Sequence, residues 1–129
     1  MSHIQTIEVN ITDLQALKNA CKRLGLAWKQ DQKTFKWYQP RPEPCDHAIT
    51  VPGANYEIGV LKNGDRKGYT LQVDYYDRKV TEKIGQLGGF FKQAYTLELA
   101  KLEAIKKGYS VREHKINERQ IELRITVGG

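Results

Sequence analysis

The sequence predicts an α+β fold, a mostly antiparallel sheet with two main helices packed on one face, as a single α+β domain over residues 1–129. Three observations predict it. Two segments, 12–24 and 80–107, carry apolar residues at spacings of three and four, the mark of a helix with one buried stripe. Most other apolar residues alternate with polar ones, as half-buried strands do. Finally, the order of strand, helix, several strands, long helix and two strands lets short turns pair neighbouring strands, and both apolar stripes then need a sheet face to cover them.

The elements follow in turn. Residues 4–11 alternate as a strand, with Ile7, Val9 and Ile11 on one face. Thr12-Asp13-Leu14-Gln15 reads as a capping box with the threonine hydroxyl first. Leu14, Leu17, Cys21 and Leu24 form the stripe of the helix behind it, and Gly25 supplies its left-handed stop. Ala27–Gln30 and Thr34–Tyr38, separated by Asp31-Gln32-Lys33, suggest a hairpin. Gln39–Asp46, with Pro40, Pro42 and Pro44, reads as an extended loop, and Ala48–Val51 resumes a strand that turns at Pro52-Gly53. Tyr56, Ile58 and Val60, then Tyr69, Leu71, Val73 and Tyr75, make the clearest hairpin. The second helix shows Ile84, Leu87, Phe91, Tyr95, Leu99 and Leu102 on its buried side, with a break expected near Gly88-Gly89. A last hairpin, Ser110–Ile116 with Gln120–Val127, would turn Ile121, Leu123, Ile125 and Val127 to the core.

Charge is distributed unevenly. Residues 16–41 hold Lys18, Lys22, Arg23, Lys29, Lys33, Lys36 and Arg41 against one acid, Asp31, and so carry the whole net charge of +6. The rest of the chain is balanced. The same stretch contains both tryptophans, Trp28 and Trp37, with Phe35 and Tyr38. Lys18 and Lys22 lie four apart on one helix face, and Lys29, Lys33 and Lys36 on the adjoining hairpin would extend it. The predicted working surface is therefore Lys18, Lys22, Arg23, Lys29, Lys33, Lys36, Trp37 and Tyr38. A sequence pI near 9.3 favours an anionic partner, an acidic protein or nucleic acid. Aromatic rings can stack on unpaired bases while lysines neutralise phosphates, although no RNP-like, KH-like or zinc-finger signature is present. The plain alternative places the tryptophans in the core and the lysines in solvent.

Several landmarks together resemble the hypothetical chloroplast reading frame 35 family, small uncharacterised proteins of cyanobacteria and plastid genomes. They are Met1-Ser2-His3, the Asp13-Leu14 to Leu17 helix start, and Leu24-Gly25 followed by Trp28. Tyr56-Glu57-Ile58-Gly59, Asn63-Gly64, Tyr69 and Asp74 complete the set. The C-terminal hairpin and the basic charge depart from that pattern. The resemblance implies an intracellular fold without an assigned activity, and it supplies no catalytic residue.

Other chemistry is sparsely signalled. Cys45-Asp46-His47 offers two metal ligands, but no second Cys or His pair stands at zinc spacing, so no metal or other cofactor is expected. Met1 and His3 could chelate Cu(II), although a strand-start role is the simpler reading. Cys45 with His47 or His114 is the one thinkable nucleophile–base pair, without an elbow or family motif around it. Asp74/Asp77 and Glu98/Glu103 read as solvated face charges, and Gly85-x-x-Gly88-Gly89 as a packing or hinge feature rather than a phosphate loop. An exposed Tyr76 and Phe90 could form a protein-binding patch. Cys21 and Cys45 are expected to be buried and reduced, and the compartment cytoplasmic, with no secretory signal and no membrane span. The expected function is a non-enzymatic accessory protein presenting the basic aromatic face to an acidic partner, a protein in the first instance. A nucleic-acid-binding module is the alternative, and a small Cys/His enzyme the remote one.

Overall fold

The computed structural model describes residues 3–128. Along the chain run β1 (Gln5–Ile11), α1 (Leu14–Arg23), β2 (Ala27–Lys29), β3 (Thr34–Phe35), β4 (Glu43–Pro44), β5 (His47–Thr50), β6 (Glu57–Lys62) and β7 (Tyr69–Val73). Then come α2 (Arg78–Ile84), α3 (Gly89–Lys106), β8 (Ser110–Asn117) and β9 (Gln120–Thr126). Five strands form one sheet in the order β1-β7-β6-β5-β2, antiparallel at every step, as the predicted α+β class requires.

Helix α1 starts one residue later than the predicted capping box. Asp13, not Thr12, is the cap, its carboxylate accepting the Ala16 N–H at 3.0 Å. The Thr12 and Asp13 N–H groups both donate to the Tyr95 hydroxyl of α3, at 2.9 and 3.1 Å. A tertiary contact thus fixes the backbone that the local pattern had assigned to the cap. Gly25, at φ +74°, ends the helix as expected.

The long helical segment divides where its glycines predict. A 3-10 turn, Gln86–Gly88, separates α2 from α3, and Leu87 within it sits at φ 54° and 65% exposed. Leu87 therefore leaves the buried stripe on which the helical spacing placed it. Gly88 is required there: at φ +74°, an added Cβ would lie 2.8 Å from Ile7 Cγ2 of β1.

Alternation sorts the sheet residues into two faces. Cross-strand partners Trp28–Ile49–Ile58 and His47–Val60–Leu71–Ile7 lie on the side covered by α1 and α3. The partners Lys29–Ala48–Gly59–Gln72 point the other way. A smaller cluster of Phe35, Cys45 and Ala48 forms on that second side, with Ile4, Trp37 and Leu61 packed against it.

Two predicted pairings are corrected. Ala27–Gln30 and Thr34–Tyr38 are not a hairpin: β2 pairs with β5 at the sheet edge, while β3 pairs with β4. The predicted loop 39–46 thus contributes Glu43–Pro44 as a short strand. The physical reason is Phe35, which is buried only by crossing to the second face and lying over Gly59. The C-terminal hairpin forms, but as a separate two-stranded ribbon on the outer side of α3. Ile121 and Leu123 are half-buried there, Ile125 is exposed and Val127 is 67% exposed, so this stripe does not reach the core.

Candidate functional site

The predicted basic aromatic face is divided by the sheet. Lys18 belongs to the helix side, its Nζ 5.7 Å from the centre of the Trp28 ring, and Trp28 packs on the main core and tilts against His47 with ring centres 5.2 Å apart. Lys22 is exposed one turn further along α1. Lys29 points to the opposite face with Ala48 and Gly59. Trp37 packs on the second cluster and spends its indole N–H on the Arg41 carbonyl at 2.8 Å. The two tryptophans therefore lie on opposite sides of the sheet.

Arg23 leaves the predicted surface altogether. Its guanidinium binds Glu98 at 2.6 Å and Glu113 at 2.8 Å, joining α1 to α3 and β8. Lys101 completes the network, 2.6 Å from Glu113 and 3.6 Å from Glu98. Hydrogen bonds from Arg23 and Lys101 hold the Glu113 carboxyl at about 2, far below its ordinary range. Glu98, read from sequence as a solvated charge, is instead buried within this network. Lys33 lies 3.7 Å from Asp31 and so contributes little net field.

What remains together is a compact group on the second side. Lys36, Trp37, Tyr38, Pro40, Pro42 and Asn55 line a shallow pocket of about 310 Å³. Tyr38 is 49% exposed and meets the 67% exposed Tyr76 edge-on, ring centres 5.5 Å apart. The Lys36 ammonium and the Arg41 guanidinium form no ion pair among the described residues, although the Lys36 backbone N–H donates to the Glu57 carboxylate at 3.0 Å.

Asp74 holds this group in place. It is 1% exposed, and its two oxygens accept the Tyr38 N–H at 3.1 Å and the Tyr76 N–H at 2.9 Å. One buried carboxylate thus anchors the backbone of two ring-bearing residues from distant parts of the chain. Asp77 works similarly at the start of α2, accepting the Lys79 and Asn55 N–H groups at 2.9 and 2.7 Å. Neither aspartate is a free face charge. Partial burial, then the Asp74 and Asp77 carboxylates, raise the Tyr56 phenol above its ordinary pKa. The sequence signal for this site was Asp74 two residues before Tyr76, an Asx-type spacing.

The thiol site does not assemble as a catalytic pair. Cys45 is free and buried, its Sγ–H donating to the Gln32 carbonyl at 3.2 Å, and burial pushes its pKa up to about 11. His47 turns its Nδ1 to the Asp31 N–H at 2.9 Å, and burial holds its pKa below the ordinary value. An activated thiolate needs the reverse shift. Cys21 is also free and buried, pushed up to about 12 by burial. Among the described residues, no three His, Cys, Asp or Glu side chains are close enough to hold a metal ion, and no helix is long and apolar enough to cross a membrane. The Met1–His3 chelate involves residues 1 and 2, which lie outside the described residues. The Tyr76/Phe90 patch also divides, because Phe90 is half-buried beneath the Arg119 guanidinium, 4.3 Å from its ring centre.

No family model matches the chain, and no solved structure matches it. The chain is 26% identical over 117 residues to the uncharacterized protein ycf35 of Cyanophora paradoxa, a match covering 89% of this chain and 88% of that protein. The match covers nearly nine-tenths of each chain, so the resemblance does not rest on isolated landmarks. The chain is therefore similar, over most of its length, to an uncharacterized protein of the hypothetical chloroplast reading frame 35 type, as its landmarks suggest.

Proposed function

We propose that the protein is a non-enzymatic binding protein whose working surface is the Lys36–Pro42 loop together with Tyr76, and that its partner is an acidic protein. The observation that carries this reading is the double use of Asp74. A buried carboxylate costs several kcal/mol of desolvation unless it is well bonded, and here both its oxygens hold the backbone N–H groups of two tyrosines whose rings stand in solvent. Rigid tyrosines flanked by cations are the composition of protein-interface centres. Lys36 and Arg41 supply the sign, and they select an acidic partner.

Titration of the isotopically labelled protein with polyglutamate, followed by amide NMR, tests the surface. The expected shifts centre on Lys36–Arg41 and Tyr76, and they disappear in Lys36→Glu/Arg41→Glu with the fold unchanged. Shifts confined to Lys18, Lys22 and Lys29 would overturn the assignment.

A second reading, single-stranded nucleic acid, is favoured by the exposure of Tyr38 as a stacking face beside Lys36. Oligouridylate in the same titration separates the two. Nucleic acid requires binding that weakens steeply with salt and falls in Tyr38→Ser.

A further inference from the structure

Between α3 and the β8–β9 ribbon lies an apolar groove that no described side chain fills. Its inner part, about 250 Å³, has Leu24, Phe90, Ala94 and Leu97 as floor and Arg119 and Ile121 as wall. Beyond Ile121 it widens to about 440 Å³ over Thr96, Ala100 and Leu123. Leu97, Gln93 and Ile121 line both parts, so the two are continuous. From Phe90 to Ala100 the floor runs about 15 Å along α3 at the helical rise.

The charges around it are one-sided. Arg119 lies over Phe90 at the inner mouth and Lys92 flanks the outer part, and neither has a carboxylate partner among the described residues. The one carboxylate on the lining, Glu118, is drawn to Lys115 at 3.5 Å. Arg23, also at the inner end, is already neutralised by Glu98 and Glu113.

We propose that this groove binds a single-chain anionic amphiphile, its alkyl chain along α3 and its carboxylate or equivalent head on Arg119. Shape and charge together select that class. A helix about 10 Å across does not enter an inner space of about 250 Å³, whereas an alkyl chain does, and it covers Leu97, Ala94 and Ile121. An uncharged chain would leave the guanidinium without an anion, and a cationic one would meet Arg119 and Lys92 with like charge. Mostly apolar lining with one or two convergent polar groups is the usual constitution of a small-molecule site.

Dodecanoate, below its micelle concentration, is the probe, with dodecanol and dodecyltrimethylammonium as head-group controls. Amide NMR should show saturable dodecanoate shifts at Phe90–Ala100 and Ile121–Leu123. Arg119→Gln should weaken dodecanoate about tenfold, the worth of one charge-assisted hydrogen bond, while leaving dodecanol unchanged. Leu97→Trp should fill the groove and abolish both, and Ala100→Leu serves the same purpose if that variant fails to fold. The cationic amphiphile should bind at least tenfold more weakly than dodecanoate. Absence of dodecanoate shifts in the groove, undiminished binding by both groove-filled variants, indifference to Arg119→Gln, or equal affinity for the cation would each overturn the proposal.

Discussion

Gly59 is where one added carbon tests the two-sided sheet most directly. An alanine Cβ there would collide with Cδ1 and Cε1 of Phe35, and the ring, fully buried, has no space into which to retreat. Gly59 is not among the positive-φ glycines, so its backbone accepts alanine and the cost is purely the collision. Overpacking of this kind costs about 1–3 kcal/mol, and alanine's lower backbone entropy returns about 0.5–1 kcal/mol. Because the ring cannot retreat, the upper part of that cost, about 2–3 kcal/mol, applies, and the net loss for Gly59→Ala is about 1–2.5 kcal/mol. An unfolding entropy of about 2.1 cal/mol/K per residue converts that to a fall of roughly 4–9 °C in Tm for this chain. Phe35→Ala removes a fully buried ring and should cost about 3–5 kcal/mol. In that background Gly59→Ala has nothing to strike, and it should be neutral or slightly stabilising. Thermal and urea unfolding of the four proteins, followed by far-UV circular dichroism, closes the cycle. An equal cost of Gly59→Ala in both backgrounds would refute the packing of β3 over the sheet, as would an unmoved Tm in the single variant.

Three further outcomes follow from the buried and paired groups. Arg23→Met leaves the Glu98 carboxylate to Lys101 alone and should cost about 2 kcal/mol in urea unfolding, less than the full loss of a buried pair because Lys101 remains; adding Glu98→Gln should recover part of it. Glu113, at about 2 folded against its ordinary 4.5, contributes stability that is complete above pH 4.5 and is lost as pH falls toward 2. Glu113→Gln should flatten that acid limb in pH-dependent unfolding. With thiols at about 12 and about 11, Cys21 and Cys45 should resist iodoacetamide at pH 8 and react once the chain is unfolded in urea. A Cys45 modified in the native protein as fast as a free thiol would contradict its place in the Phe35 cluster.

The elements legible in the sequence are those whose pattern is set by a single buried face. The α1 stripe of Leu17 and Cys21, the β6–β7 pair and the break at Gly88 all behave in this way. What local pattern does not contain is a choice between two faces. Trp28 and Phe35, seven residues apart, each sit in a short β-prone run, yet one goes to the helix side and the other, in β3, to the opposite face over Gly59. Nothing in the Asp31-Gln32-Lys33 turn marks that crossing except Asp31 at φ 58°, a conformation aspartate tolerates better than most residues. Glu98 and Asp74 were misread for a related reason. A carboxylate looks solvated in sequence until the partner that buries it is known, and those partners lie 75 and 36 residues away.

The fate of the basic segment follows from the same crossing. Seven cations within 26 residues would act as one field only if the chain kept them on one surface. Strand alternation sends Lys29 away from Trp28, the β3–β4 pair carries Lys36 and Trp37 to the far side, and Arg23 is taken into an internal ion network. Exposed charges interact appreciably only within about a Debye length, roughly 8 Å at physiological salt. Charges on opposite faces of a covered sheet are separated by layers of about 10 Å each, so the Lys18/Lys22 pair and the Lys36/Arg41 pair act on different ligands or on none. Of the predicted surface, Lys36, Trp37 and Tyr38 share one pocket lining and Lys22 and Arg23 another, where Arg23 is already paired with Glu98. The anchor of the first group is not a cation but Asp74, an acid outside the basic segment, and it makes the 36–42 loop a surface of defined shape.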